Sequence, residues 1–349
     1  MRRVRLSGAK NVIWRVLGVV AGLGAALACR AALLEVPVGI APTMSSAAMY
    51  IAVERGYFEE QGIKPIVTAF DASGAKMVPV LAAGELFVAG GNINAGLYNA
   101  ISSDIPIKIV ADKGTVARGH GYLALIVRKD LVENGRYKSY ADLKGMKMAV
   151  TAKGVSQEIV TERYLKSAGL TLGDIELLTL SYKDMNLAFV NKGLDATVQI
   201  EPFVSQAVAE NLAVRVEGND VIYPEQQSAV MFYSPVFIEK HPETARKFMV
   251  AYVKGLRDYN DAFEYGKGKA ELIALLVKAK VVKDAALAEK MAPVGLHPDG
   301  DMNVASLKDD LKWFVEKGYV SKAPDLDRVV DRSYIEYARK TLGPYASRK

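Results

Sequence analysis

Leu81-Ala82-Ala83-Gly84-Glu85-Leu86 and, much later in the chain, Val190-Asn191-Lys192-Gly193-Leu194-Asp195 read as the same corner written twice. In each, a short helix stops at a glycine and a strand begins at once. A glycine just past a helix supplies the left-handed backbone that closes its last turn. The stopping glycines also keep similar spacings, Gly62 and Gly84 lying 22 apart and Gly169 and Gly193 24 apart. Such punctuation between apolar runs describes one supersecondary plan used twice, and hence two similar lobes.

Working outward from the first corner, Val36 to Ile40 reads as a strand. Ser45 or Ser46 is placed to cap the helix that carries Ile51, Ala52 and Val53. Pro65 to Phe70, Leu86 to Ala89 and Ile107 to Ala111 read as further strands. The stretch from Asn92 to Ser102 reads as a helix. Around the second corner, Lys147 to Thr151, Ile175 to Leu180 and Thr197 to Ile200 are strands, separated by helices over Glu158 to Ala168 and Met185 to Lys192. Strands alternating with helices of this size predict βαβ units and an α/β fold with largely parallel sheets. Tyr122 to Val127 is a β-rich run suited to crossing between lobes, and Ala229 to Phe237 one suited to crossing back. Lobe I is therefore expected at 34–122 plus 229–349, and lobe II at 123–228. From Pro242 onward the pattern is helical, over Glu243 to Phe263, Ala270 to Lys278, Asp284 to Met291, Ser306 to Lys317 and Asp327 to Thr341.

The first 28 residues obey other rules. Arg2, Arg3, Arg5, Lys10 and Arg15 form a basic start without acids, and Val16 to Cys29 runs uncharged and apolar. That is the pattern of a secretory signal peptide over 1–28. The chain carries +6 overall, and removing those five basic residues leaves +1. A nearly neutral mature protein predicts neither nucleic acid nor an acidic membrane surface as partner. The single cysteine, Cys29, excludes an internal disulfide. Ala26-Leu27-Ala28-Cys29 resembles a lipoprotein signal, which makes Cys29 a candidate lipidation site.

Tyr50-Ile51-Ala52-Val53-Glu54-Arg55-Gly56-Tyr57-Phe58-Glu59-Glu60-Gln61-Gly62-Ile63 carries a more specific likeness. It resembles the first-helix signature of the periplasmic substrate-binding proteins of nitrate, sulfonate, taurine and thiamine-precursor ABC importers. Leu81 to Glu85, Tyr140 to Lys147 and Glu201-Pro202-Phe203 resemble further motifs of that family, in the family's order. Phe87 stands where the family's corner commonly has Asp. The resemblance implies a type-II periplasmic-binding fold: two α/β lobes, a ligand cleft between them, closure by hinge motion, and a membrane permease that recognises the closed form. It implies a small-molecule ligand, no catalysis, no cofactor and a place in the periplasm; a monomer is expected.

In open α/β sheets, ligands sit beyond the carboxyl ends of the strands. That rule selects Pro42 to Ser46, Asp71 to Gly74, Gly90 to Asn94 and Asp112 to Gly114 on one side. On the other it selects Thr151 to Ser156, Ser181 to Asp184 and Glu201 to Phe203. The candidate ligand-binding residues are Thr43, Met44, Ser45, Asp71, Ser73, Asn92, Asn94, Gly154, Ser156, Tyr182, Glu201 and Phe203. Ser45 and Ser156 precede helices, whose free N–H groups suit anions or carbonyl oxygens; plain capping would use the same serines. Glu201 suits either an amino group or a hinge contact. Few arginines lie on these loops, whereas several carboxylates do. The ligand is therefore expected to be a small neutral, zwitterionic or heteroaromatic organic molecule in preference to free sulfate or nitrate, and the resemblance adds a sulfonate-like one.

His120, His241 and His297 follow no metal-ligand spacing. Neither a Gly-x-Ser-x-Gly elbow nor a Walker loop occurs. Two other classes share the expected fold. Thiamine-pyrimidine synthases carry a cysteine-rich motif that is missing here. Effector-sensing domains of regulators follow a DNA-binding helix-turn-helix, whose place is taken by the leader.

Overall fold

The computed structural model describes residues 32–70 and 74–346. The leader at 1–28, Cys29, Asp71 and Ser73 lie outside the described residues. Ten strands occur among those described: β1 (Leu34–Ile40), β2 (Ile63–Ala69), β3 (Val88–Asn92), β4 (Lys108–Val116), β5 (Leu123–Arg128), β6 (Lys147–Val150), β7 (Glu176–Thr179), β8 (Ala196–Ile200), β9 (Ala213–Gly218) and β10 (Gln226–Tyr233). They form two five-stranded sheets, ordered β2-β1-β3-β10-β4 and β7-β6-β8-β5-β9.

The two orders are one order. In each sheet three strands run parallel, and a fourth, β10 or β5, runs against both its neighbours. In the first sheet the reversed strand arrives after the whole second sheet. In the second it arrives before the others. The chain therefore passes between sheets through 117–122 and again through 219–225. Tyr122 to Val127 and Ala229 to Phe237, expected to cross, mostly lie inside the sheets. Every residue of β5 and β10 is buried, and apolar runs of that kind are spent on sheet interiors. The crossings fall on more polar stretches.

The helix after β1, Ala47–Glu54, buries Ala47, Ala48, Ile51 and Ala52 against the long helix Pro242–Phe263. That long helix answers with Ala245, Phe248, Met249, Tyr252, Leu256 and Tyr259, a stripe at three- and four-residue steps. Two expected tail helices are shorter than the sequence pattern suggests. Only Ala285–Ala288 is helical in the first. The second breaks into Leu326–Val329 and Ser333–Leu342. Val330 is held extended in a bridge to Ile109 of β4, and the Asp331 N–H donates to the Ile109 carbonyl at 2.8 Å. Sheet-edge pairing wins there over helix continuation.

The repeated corner exists, with a one-residue change of register. At the first corner Gly84 is left-handed, at φ 78°, and the Glu85 N–H reaches back to the Val80 carbonyl. At the second, the left-handed residue is Lys192, at φ 58°, and the Gly193 N–H reaches back to the Ala188 carbonyl. Structurally, Gly84 matches Lys192, and Glu85 matches Gly193. The pairing of Gly84 with Gly193 is thereby corrected. The backbone pattern places the cap, and at the second corner a lysine accepts the strain.

Candidate functional site

The carboxyl ends of the parallel strands of both sheets face one another. The loop after β1 is tied to the residue after β8 by the Met44 N–H, which donates to the Glu201 carbonyl at 3.1 Å. At the end of β3, Asn92 Nδ2 donates to the Tyr182 hydroxyl at 3.0 Å. The Ser156 N–H donates to the Ile93 carbonyl at 2.9 Å, and the Ala95 N–H to the Gly154 carbonyl at 2.8 Å. Asn94 and Val155 form an isolated antiparallel bridge. Ser156 Oγ donates to the Ser228 carbonyl of β10 at 3.2 Å. Behind the cleft, Trp313 Nε1 donates to Glu162 at 2.6 Å and Tyr319 Oη to Glu158 at 2.8 Å. The tail helix Val304–Glu316 and the turn after it are thus joined to the helix Ser156–Ser167. The lobes meet in a closed arrangement.

Five of the candidates share this interior. Thr43 Oγ1 and Ser45 Oγ lie 3.1 Å apart and are buried. Asn92 and Tyr182 meet across the cleft, and Ser156 closes it from the second sheet. Burial pushes the Tyr182 hydroxyl up to about 12, so it acts only as a neutral hydrogen-bonding group. Phe203 stacks on Tyr182 with ring centroids 6.2 Å apart. Gly154 lends its carbonyl to Ala95, as above.

Three candidates have other tasks. Asn94 is fully buried and caps the helix Ala95–Ser102, accepting from the Leu97 N–H while its Nδ2 donates to the Asn92 carbonyl. That leaves little for a ligand. Met44 packs in the apolar core. Glu201 is fully buried, and its carboxylate accepts from the Ser205 N–H at 3.0 Å, Ser205 Oγ at 2.9 Å and the Ala292 N–H at 3.3 Å. Burial raises its pKa, while these donors and the Arg215 guanidinium oppose the rise. Of the two roles open to Glu201, the structural one fits these contacts. Ser46 donates to the Ala41 carbonyl, and neither it nor Ser45 caps the helix Ala47–Glu54.

One residue at the centre of the site escapes the sequence pattern. Asp112 to Gly114, expected as a loop, lies inside β4, which pairs with β10 through several register shifts. Successive side chains of a strand point to opposite faces. The Asp112 carboxylate accordingly turns to the His297 and Gly114 N–H groups and Gln227 Nε2. Lys113 turns to the cleft. It is 2% exposed, and its Nζ donates to Ser45 Oγ at 2.8 Å. Its stem fills the space beside Gly90, where an added Cβ would stand 2.8 Å from Lys113 Cδ. Burial drives its pKa down to about 7, partly opposed by Asp112.

Two sheets of equal strand order, exchanging one reversed strand and meeting at the ends of their parallel strands, define the type-II periplasmic-binding fold. The chain belongs to the NMT1-like family, whose model matches residues 31–276. A Brucella abortus (strain 2308) protein, named for binding without a stated ligand, is 26% identical over 215 residues. That match covers 61% of this chain and 62% of the relative. A protein of Escherichia coli (strain K12) named for binding aliphatic sulfonates is 28% identical over 203 residues, 56% of this chain and 60% of the relative. The chain thus aligns with under two thirds of the length of either relative. Among solved structures, the alkanesulfonate-binding protein of Xanthomonas axonopodis pv. citri bound to MOPS superposes with TM-score 0.69 at 17% identity, over 86% of this chain and 98% of that one. The periplasmic nitrate-binding protein of Synechocystis PCC 6803 gives 0.72 at 14% identity, over 89% of each. At such identities the likeness is one of fold. Among the described residues, no helix is long and apolar enough to cross a membrane.

Proposed function

We propose that this chain is the solute-binding component of an ABC importer. It captures a small organic molecule between its two lobes and presents the closed form to a membrane permease. The observation that carries this is the convergence of both sheets' strand ends on one interior, where Asn92 meets Tyr182 and Ser156 meets Ile93 and Ser228. Those contacts join loops far apart in sequence across two layers that share only two connections. Such a joint can open and reclose about the connections, which is the hinge arrangement of domain closure. The named binding proteins among its relatives support the same function. Export by the 1–28 leader, tethering through an acylated Cys29, and action as a monomer without a chemical step complete the proposal.

Small-angle scattering of the purified mature chain tests it. The ligand-free protein should be more open in solution and should compact when a capturable solute is added. An unchanged radius of gyration across a broad panel of organic acids, amides and heteroaromatics would sink the proposal, as would turnover of any of them.

A further inference from the structure

A buried lysine without a carboxylate is expensive. Desolvation penalises the ammonium, and a structural lysine recovers that cost from an ion pair. Among the described residues Lys113 has no such pair, and its one hydrogen-bond partner is the neutral Ser45 hydroxyl. The neighbouring Asp112 carboxylate faces away and is occupied by other donors. Lys113 is also not displaced towards solvent. Its stem is threaded over a glycine so that the head reaches the loop after β1, at the carboxyl ends of β1 and β3. There it stands near the start of the helix Ala47–Glu54, whose N-terminal dipole adds positive potential of the same sign. A lysine placed beside a helix N-terminus, with only hydroxyls around it, keeps its charge best when something negative arrives.

We infer that Lys113 selects the ligand, and that the interlobe site takes a small organic acid whose anionic oxygens bind the Lys113 ammonium beside Thr43 and Ser45. It rests on the solute-capture reading above. The charge is supplied from the first lobe alone. The second lobe's contribution to this interior, Thr151, Ser156 and Tyr182, is uncharged. The arginine-poor loops, which suggested a neutral or zwitterionic molecule, are thus offset by one lysine from within a strand. In the closed arrangement burial draws Lys113 down to about 7, so at neutral pH its ammonium is held there only against an anion. An acid's arrival would draw the proton back.

The test uses the mature chain and matched probe pairs: ethanesulfonate with ethanesulfonamide, and benzoate with benzamide, within a wider set of acid–amide pairs. Thermal shift and calorimetry are read on the wild type, on Lys113→Met and on Ser45→Ala. Acids should bind and their amides should not. Lys113→Met should weaken the acids by about 10- to 100-fold, the usual loss of a charge-assisted hydrogen bond. Ser45→Ala should weaken them less. Lys113→Met should itself melt no lower than wild type, since it removes an unpaired buried charge. Wild-type affinity for a sulfonate should fall as the solution is made alkaline, because only the charged lysine binds. If amides bind as well as acids, or Lys113→Met keeps the acids, the role of Lys113 is overturned while solute capture stands. If no probe of either kind binds or compacts the chain, both fall.

Discussion

The corner at 80–87 in the first lobe and the corner at 188–195 in the second have the same hydrogen-bonded shape and opposite chemistry. Both end a helix with a left-handed residue and enter a strand through a leucine, Leu86 or Leu194. One residue later they diverge. The first corner has Phe87, stacked on Phe237 at 5.4 Å and packed against His241. The second has Asp195, which accepts from Arg128 at 2.9 Å and from the Lys147 N–H at 2.9 Å. The aspartate typical of this family's first corner is present, but in the other lobe. What the two corners share is backbone geometry, and each lobe secures that geometry with whatever the adjoining elements offer. For the first that is the helix Pro235–Lys240; for the second it is the outgoing end of β5.

The difference can be broken most severely at Asp195. Both Asp195 and Arg128 are 9% exposed, so Asp195→Ala leaves a nearly buried guanidinium with only Asp130 and two carbonyls to satisfy it. Removing one partner of a buried pair costs about 3 kcal/mol. Urea unfolding at neutral pH should show that loss. A loss below about 1 kcal/mol would mean that the backbone alone holds the corner.

At Phe87 the loss should be smaller. The ring is only partly buried, so Phe87→Ala gives up part of its apolar burial and the Phe237 stack, about 2 kcal/mol. Phe87→Asp should cost more than Phe87→Ala, because among the described residues no arginine is bonded to this corner as Arg128 is to the other. If Phe87→Asp proved the milder of the two by the same unfolding measurement, the two corners would be chemically interchangeable after all.

The repeat itself was legible because glycine punctuation and strand-helix alternation are local signals. The strand-helix alternation, the helix stop at Gly84 and the long amphipathic tail helix followed from them. The candidate site was legible in part, through the rule that ligands lie past strand ends. It led to Thr43, Ser45, Asn92, Ser156 and Tyr182. It did not reach Lys113, since Asp-Lys-Gly-Thr has the composition of a turn. What makes that stretch a strand is pairing with β10, far along the chain, which no window around it can reveal. Glu201 and Asn94 were open for a related reason. Whether a polar side chain is free for a ligand depends on donors such as Ala292, and the sequence does not say which of them fold back to it.

The smallest effect belongs to the residue that set the repeat's register. Lys192 holds φ 58°, a conformation that costs a side-chain-bearing residue about 1 kcal/mol and glycine almost nothing. Lys192→Gly should therefore stabilise the second corner, less the greater chain entropy that glycine brings to the unfolded state and less the weak surface ion pair to Asp130 at 3.3 Å. The net gain should be a few tenths of a kcal/mol, read as a small rise in the urea midpoint with unchanged slope. Gly84→Lys, the reciprocal change, should destabilise clearly. A Cβ there would stand 2.7 Å from Val236 Cγ2, so the first corner needs glycine for space as well as for backbone angle. The asymmetry between these two substitutions separates what the shared turn demands from what each lobe's packing adds.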